Sequence, residues 1–210
     1  IIVLARTAGQ AGERHGLSLF MLDPGLQGVT VTPHRLVDGH QAAQVTLDDV
    51  RLPSDALIGE RDGAFGLLEA VLEDAVLALG AEALGALSVL LESTVEYSKT
   101  RKQFGVPIGS FQVLQHRMAD MFMAVEQTRS LLLAATLKTL EGHQDASRAV
   151  HALKARLSIA GRRVAQEAVQ IHGGMGMTDE LAVGHYFKRL TAIDGLFGGA
   201  DQHLSALAAG

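Results

Sequence analysis

A long run of helix-forming residues is the feature that most limits what this chain can fold into. Between about Ala64 and Thr100 nearly every residue favours a helix, as in the stretch LLEAVLEDAVLALGAEALGALSVLLEST. Leu, Ala and Glu are among the strongest helix formers, and the helix should end before Gly105 and Pro107. The sequence therefore predicts one very long helix in the middle of the chain.

Apolar residues at three- and four-residue steps predict further helices after this run. Two long ones are expected at roughly 109–141 and 145–172, and two shorter ones near 179–193 and 199–208. Glycines separate them. Long amphipathic helices joined by tight glycine breaks are typical of a helical bundle.

The residues before the long helix follow a different period. Segments such as LSLFMLD and GVTVTP alternate every second residue, and turn residues lie between them. No crossover helix separates these strands, which favours antiparallel pairing. The expected fold class is α+β, mainly α: a partial antiparallel β-domain over residues 1–58, then an up-down helical bundle over 62–210.

Composition excludes several classes of function. The net charge is −5 and no basic run exceeds Arg162-Arg163, so nucleic-acid binding is not expected. The chain has no stretch of about 18 uninterrupted apolar residues, so no membrane span is predicted. The chain has no Cys, which rules out disulfides and Cys-ligated zinc and suits a reducing, cytoplasmic location. His172, His185 and His203 lie on separate elements, so no metal site is predicted.

The stretch TRKQFGVPIGSFQ, residues 100–112, is the first motif with possible chemistry. Arg101 ends the long helix, and a guanidinium at such a corner can grip a phosphate with two hydrogen bonds. Nearby aromatic and amide groups could hold a nucleotide. The simpler interpretation is a helix–loop–helix in which Arg101 complements a helix C-terminus.

A second motif, AVQIHGGMGMT, covers residues 168–178. It is not a dinucleotide fingerprint, because its glycines follow a helix rather than a strand. Gly173 and Gly174 nevertheless allow a close approach to the backbone, and Gln170 could hydrogen-bond there. The simpler interpretation is a helix C-cap with left-handed glycines.

Taken in order, these stretches resemble the acyl-CoA dehydrogenase family of flavoproteins. The resemblance is carried by RKQFG with VPIGSFQ, by AVQIHGGMGMT, by IDGLFGGADQ, and by the β segments LFMLDPGLQGVTV and VTLDDVRLPSDALIGERDGAF. It covers essentially all 210 residues, as the second half of the family's middle β-domain and its C-terminal helical domain. The family's N-terminal helical domain is missing. The chain also opens on IIVLARTAG without Met, so we expect it to be the interior of a longer protein.

The resemblance implies an FAD held between subunits. This domain would grip the adenine and diphosphate end, while the flavin lies in a neighbouring protomer. A homo- or hetero-oligomer, dimer or tetramer, is implied, with an acyl-CoA substrate and room for an electron-transfer flavoprotein as a further partner. The positions that match the family's cofactor contacts are Arg101, Phe104, Ile108, Phe111, Gln112, Gln170, Gly173 and Gly174.

The family's reaction is α,β-dehydrogenation of an acyl-CoA thioester. A carboxylate removes the α-proton while the β-hydrogen leaves as hydride to the flavin. Here Gly198 stands at the position of the catalytic glutamate, and Ala75 stands at the alternative position on the first long helix. Both positions for the base are therefore empty. The weak substitutes are Asp201, Asp74 and Glu73.

Three hypotheses follow from the sequence. The first is an FAD-binding subunit without its own base that completes the FAD site of an active partner. The second is an active dehydrogenase or oxidase with a relocated carboxylate. The third is a structural module that no longer holds flavin.

Overall fold

The computed structural model describes residues 1–209. These residues form two compact units, one from residue 1 to residue 72 and one from residue 73 onward. The first unit contains the strands of the N-terminal part, and the second is mainly helical.

Five short strands form the N-terminal unit. They are β1 (Ile2–Arg6), β2 (Leu17–Met21), β3 (Val29–Arg35), β4 (Gln41–Leu47) and β5 (Leu57–Ile58). One sheet has the order β1-β2-β5, and β3 pairs with β4 in a separate ribbon. All of these pairs are antiparallel, which confirms the predicted sheet type.

A buried hydroxyl ties the sheet to the turn before the first helix. Ser18 of β2 is fully buried and lies 2.7 Å from the Thr7 hydroxyl. Its Oγ also accepts a hydrogen bond from the Asp62 amide at 2.8 Å, while Thr7 donates to the Asp62 carboxylate. Because each polar group has a partner, this network fixes the local backbone without a desolvation penalty.

Five helices form most of the rest of the chain. They are α1 (Ala64–Thr100), α2 (Gln112–Leu140), α3 (Ala146–His172), α4 (Ala182–Gly195) and α5 (Ala200–Ala209). The predicted helical bundle is confirmed, and its helices begin and end within three residues of the predicted limits.

The core of the bundle lies between α1, α2 and α3. Leu87 and Leu90 of α1, Met121 of α2 and Leu153 of α3 are all fully buried. Gly80 lets α1 approach its neighbours closely: a Cβ there would lie 3.1 Å from Leu132 and 3.2 Å from Leu153. The bundle is therefore held by close apolar packing.

Helix α1 is long and apolar enough to cross a membrane by length and composition alone. In the most apolar window, 39% of the residues are buried inside the protein. A core helix of a bundle passes the same test, so this property is weak evidence for a bilayer location.

The corner between α1 and α2 contains a small ribbon that the sequence did not reveal. Strands β6 (Lys102–Gln103) and β7 (Val106–Pro107) pair across Phe104 and Gly105, whose φ angles are 55° and 84°. Two consecutive positive φ values are the mark of a type I′ hairpin turn. The loop expected between the two helices is thus a hairpin, followed by a 3₁₀ turn at Ile108–Ser110.

Candidate functional site

A groove lies where the end of α1, the β6–β7 ribbon and the start of α2 meet the end of α3. Its volume is about 530 Å³, the lower part of the range typical of ligand pockets. Of the eight residues predicted to contact a cofactor, five line it: Arg101, Ile108, Gln170, Gly173 and Gly174. Two motifs that are about 70 residues apart in the sequence therefore share one surface.

Arg101 presents an unpaired guanidinium to this groove. Its backbone is fixed, since its amide donates to the Tyr97 carbonyl at 2.9 Å and its carbonyl accepts from the Ile108 amide at 2.8 Å. Within residues 1–209 its side chain makes no hydrogen bond or ion pair, and it does not bond to the last carbonyls of α1. All of its donors thus remain available to a ligand anion.

The two glycines form an open edge of the same groove. Gly173 is the C-cap of α3 with φ 61°, and its amide donates to carbonyls of the last turn. A Cβ at Gly173 or Gly174 would meet no atom within 4 Å. Gly173 is therefore a C-cap as in the simpler interpretation, but its ψ of −139° is not that of a left-handed helical residue and Gly174 has no positive φ. Both glycines leave space beside their backbone for a ligand. Gly176 differs, because a Cβ there would lie 2.8 Å from the Val169 carbonyl oxygen.

Three predicted contacts lie outside the lining of the groove. Phe104 is 93% exposed and stands edge-on to Phe111, with ring centroids 6.2 Å apart. Gln112 is exposed at the first residue of α2. A left-handed φ at a bulky residue such as Phe104 costs free energy, so the hairpin holds this ring in an unfavourable and exposed position.

Two further side chains in the groove were missed by the sequence reasoning. Tyr97 and His172 stack with ring centroids 4.4 Å apart, and the Tyr97 hydroxyl donates to the His172 carbonyl at 3.4 Å. This contact joins the end of α1 to the end of α3. Tyr97 lies one helical turn before Arg101, and His172 directly precedes the glycine pair, so their positions beside the motifs were the available signal.

Arg117 is a second cation in the groove that was also missed. It lines the groove from α2, and its Nη1 lies 3.3 Å from Oε2 of Glu167 on α3. Its position five residues after Gln112 gives no signal by itself, because arginines on helix surfaces are common.

The position that matches the family's glutamate has no carboxylate, and its positive φ disfavours any side chain. Gly198 lies between α4 and α5 with φ 96°. A Cβ there would lie 2.6 Å from the Gln202 Oε1 atom and 3.1 Å from the His203 Nε2 atom. Any larger residue would need a strained backbone and a displaced Gln202.

The other positions considered for the base are on two separate helices. Ala75 is half-buried in α1, beside the half-buried Glu73 and the exposed Asp74. Asp201 is exposed in the first turn of α5. Among residues 1–209, no group of three or more His, Asp or Glu side chains is placed to hold a metal ion.

Comparisons with known proteins agree with this architecture. The family model of the acyl-CoA dehydrogenase C-terminal domain matches residues 65–209. The short-chain-specific acyl-CoA dehydrogenase of Megasphaera elsdenii is 34% identical over 190 residues, which are 89% of this chain and 49% of that protein.

Solved structures show the same fold. The FAD complex of PigA superposes with a TM-score of 0.88 at 29% identity, covering 99% of this chain and 55% of that one. The ChsE4–ChsE5 complex from Mycobacterium tuberculosis gives a TM-score of 0.86 at 29% identity, covering 99% of this chain and 54% of that one.

An antiparallel β unit followed by a helical bundle with a glycine-edged groove defines the class of this protein. The chain belongs to the acyl-CoA dehydrogenase family, which confirms the resemblance seen in the sequence. It spans about half the length of the curated relatives that it matches.

Proposed function

We propose that this chain is an FAD-binding subunit of an acyl-CoA dehydrogenase that lacks its own catalytic base. The observation that carries the proposal is the shared groove, in which the unpaired Arg101 guanidinium and the open glycine edge occur together. A charged donor beside bare backbone suits a diphosphate, which carries negative charge and needs a close approach.

Each residue of the groove has a distinct role in this proposal. Arg101 binds the diphosphate, and Gly173 and Gly174 let it approach the backbone. Gln170 has no side-chain hydrogen bond within residues 1–209, so its amide is free to hold the nucleotide. The Tyr97–His172 stack fixes the end of α1 against the end of α3, which form the two sides of the groove. Arg117 adds positive charge, partly offset by Glu167.

The residues outside the groove suit a partner protomer. Phe104 is an aromatic ring that is almost entirely exposed, and apolar exposure of this kind is typical of contact sites. We infer that Phe104, Phe111 and Gln112 meet the cofactor or the partner where FAD crosses between protomers. The similarity to ChsE4–ChsE5, a complex of two named proteins, supports a hetero-oligomer.

The chemistry of the proposed complex is dehydrogenation of an acyl-CoA thioester. An FAD held by Arg101, Gly173 and Gly174 would supply the acceptor for the hydride that leaves the β-carbon. This chain offers no carboxylate for the α-proton at Gly198 or Ala75. Removing a general base typically lowers the rate by about 10²–10⁴, so the partner protomer supplies the active cleft.

A second candidate is dehydrogenation by this chain itself with Asp201 as the base. Asp201 is exposed and lies within one turn of Gly198, which favours it over Asp74 or Glu73. Against it, an aspartate side chain is shorter than the glutamate of the family and begins three residues farther along the chain.

One experiment separates the hypotheses. The chain is purified alone and together with a complete acyl-CoA dehydrogenase subunit, and the flavin absorbance and acyl-CoA turnover are measured for both. We expect a yellow, active complex and no turnover by the chain alone. Brisk turnover by the chain alone would favour the relocated base. A complex in which this chain adds no flavin would favour the structural module.

A further inference from the structure

A lysine is buried in the bundle, away from the Arg101 groove. Lys154 of α3 has no exposed surface. Burying an ammonium group is costly unless its donors are satisfied. Desolvation lowers the pKa of Lys154, against the charge of Asp194, which raises it.

All three donors of the ammonium group have acceptors. Lys154 Nζ donates to the Gly198 carbonyl at 2.6 Å, to the Asp194 carbonyl at 3.1 Å and to the Ser158 hydroxyl at 3.3 Å. An ammonium group has three N–H donors and no lone pair. Lys154 is therefore placed to hold carbonyl groups, and it is not free to act as a nucleophile or a base.

The two carbonyls lie on either side of the break between α4 and α5. Asp194 is in the last turn of α4, and Gly198 is in the connection that follows. The connection is strained at Phe197, because Phe197 and Gly198 have positive φ angles of 56° and 96°. Only Gly adopts that region readily, so long-range contacts have to hold Phe197 there.

A histidine pair holds another carbonyl of this connection, that of Phe197. The Phe197 carbonyl only accepts, so His203 Nε2 donates to it at 2.9 Å. Neutral His203 then accepts at Nδ1 from His151 Nδ1, 2.8 Å away. Buried donors from α3 and α5 thus bind the carbonyls of three residues: Asp194, Phe197 and Gly198.

We propose that Lys154 is the positioning residue of the α4–α5 connection. Its buried ammonium group ties the end of α4 to Gly198 and so fixes the backbone at the position where the family carries its base. The relevance of this position to catalysis rests on the proposed function, whereas the positioning itself does not.

The test is hydrogen exchange in the variant Lys154→Met, which keeps the apolar stem and removes the donors. We expect amides of residues 196–203 to exchange about 10- to 100-fold faster, as for the loss of a hydrogen bond to a charged group. Amides of the α1–α2 corner and the FAD content of the complex should not change. Equal acceleration throughout α2 and α3, or no acceleration at residues 196–203, would overturn the proposal.

Rescue separates positioning from simple packing. Because this chain contains no Cys, the variant Lys154→Cys can be aminoethylated at one site while unfolded and then refolded. The product carries an ammonium group on a side chain of nearly lysine length. We expect normal exchange at residues 196–203 after modification and fast exchange before it. Failure of the modified protein to regain slow exchange would contradict the positioning role.

A measurement on the unaltered chain keeps the proposal testable if the variants do not fold. Hydrogen-bonded, buried ammonium protons exchange slowly with water, so ¹⁵N spectra of lysine side chains should show one protected Nζ resonance near neutral pH. Its absence would overturn the proposal. Because neither this signal nor the exchange pattern requires flavin, failure here and failure of the proposed FAD binding can be told apart.

Discussion

Single residues decide whether this chain can bind a nucleotide and whether it can remove a proton. Arg101 has no partner within residues 1–209, whereas Arg163, Arg162 and Arg129 each pair with a carboxylate. Gly198, by contrast, has no side chain that could accept a proton, and a Cβ added there would lie 2.6 Å from the Gln202 Oε1 atom. The same chain therefore has an unpaired cation that suits a cofactor phosphate and no carboxylate at position 198.

Substituting Gly198 should destabilise the protein. Gly198→Ala forces a side chain into a left-handed backbone with Gln202 Oε1 only 2.6 Å away. We expect the free energy of unfolding to fall by about 1–3 kcal/mol, measured by urea denaturation. Gly195→Ala is the matched control, because a Cβ there meets nothing within 4 Å. Equal stability of the two variants would contradict the account of this connection.

Residue types at the site could be predicted from the sequence, but their partners could not. The two motifs pointed to Arg101, Gln170 and the glycine pair, which the structure places in one groove. Nothing in the sequence indicated that Lys154 is buried, because its two carbonyl acceptors lie 40 and 44 residues away. Contacts between distant residues of this kind have no periodic signature.

At the scale of helices and strands, apolar periodicity and glycine breaks were sufficient to predict the five helices. They predicted α1 to α5 because helix period and helix boundaries depend on neighbouring residues. The β6–β7 ribbon was missed, since its strands are two residues each and its turn uses Phe104 rather than Asn or Asp.

Packing of α1 depends on one of its two central glycines. A Cβ at Gly80 would meet Leu132 and Leu153, whereas one at Gly85 would meet nothing within 4 Å. We expect Gly80→Leu to lower the free energy of unfolding by about 1–3 kcal/mol through overpacking. Gly85→Ala, its control, should raise it by about 0.5–1 kcal/mol through helix propensity. Urea denaturation measures both, and a reversed order would show that α1 packs differently.

The contact of α5 with α3 should depend on pH. Burial lowers the pKa of His203 below 6.5, as do the charges of His151 and Lys154, against the hydrogen bond to Phe197, which raises it. The unfolded chain then binds more protons just below about pH 6.5, so stability is full above that pH and falls as the pH is lowered.

The matched test of this pH dependence is His203→Gln, whose amide can still donate to the Phe197 carbonyl. We expect its free energy of unfolding to fall less than that of the unaltered protein between about pH 6.5 and pH 5. Chemical denaturation across this range measures both. Parallel profiles for the two proteins would show that His203 does not contribute.

At the scale of the whole molecule, an exposed groove and exposed apolar side chains suit the assembly that we propose. The chain spans about half the length of its relatives, and its groove lies at the surface of the helical bundle. Helix α2 also exposes large apolar side chains, with Phe122 at 55%, Leu133 at 60% and Leu140 at 78% exposure. Apolar exposure of this extent is typical of surfaces that another chain covers.

The oligomer should respond to charge on this face of α2. Leu133→Glu would place a carboxylate in a surface that we expect to be buried between protomers, and burying an unpaired charge is costly. We expect sedimentation to show a smaller assembly with unchanged helical circular dichroism. Gln127→Glu is the control, since it adds the same charge to an exposed polar site of α2. An unchanged assembly in the Leu133 variant would place the interface elsewhere.

The central claim is that this chain supplies the diphosphate-binding side of an FAD site completed by another protomer. The most direct measurement is the affinity of the complex for FAD with the chain unaltered, with Arg101→Met, and with Arg129→Met as a control of equal charge outside the groove. We predict that Arg101→Met weakens FAD binding about 10- to 100-fold, while Arg129→Met leaves it within about twofold. Equal affinity of all three complexes would contradict the claim.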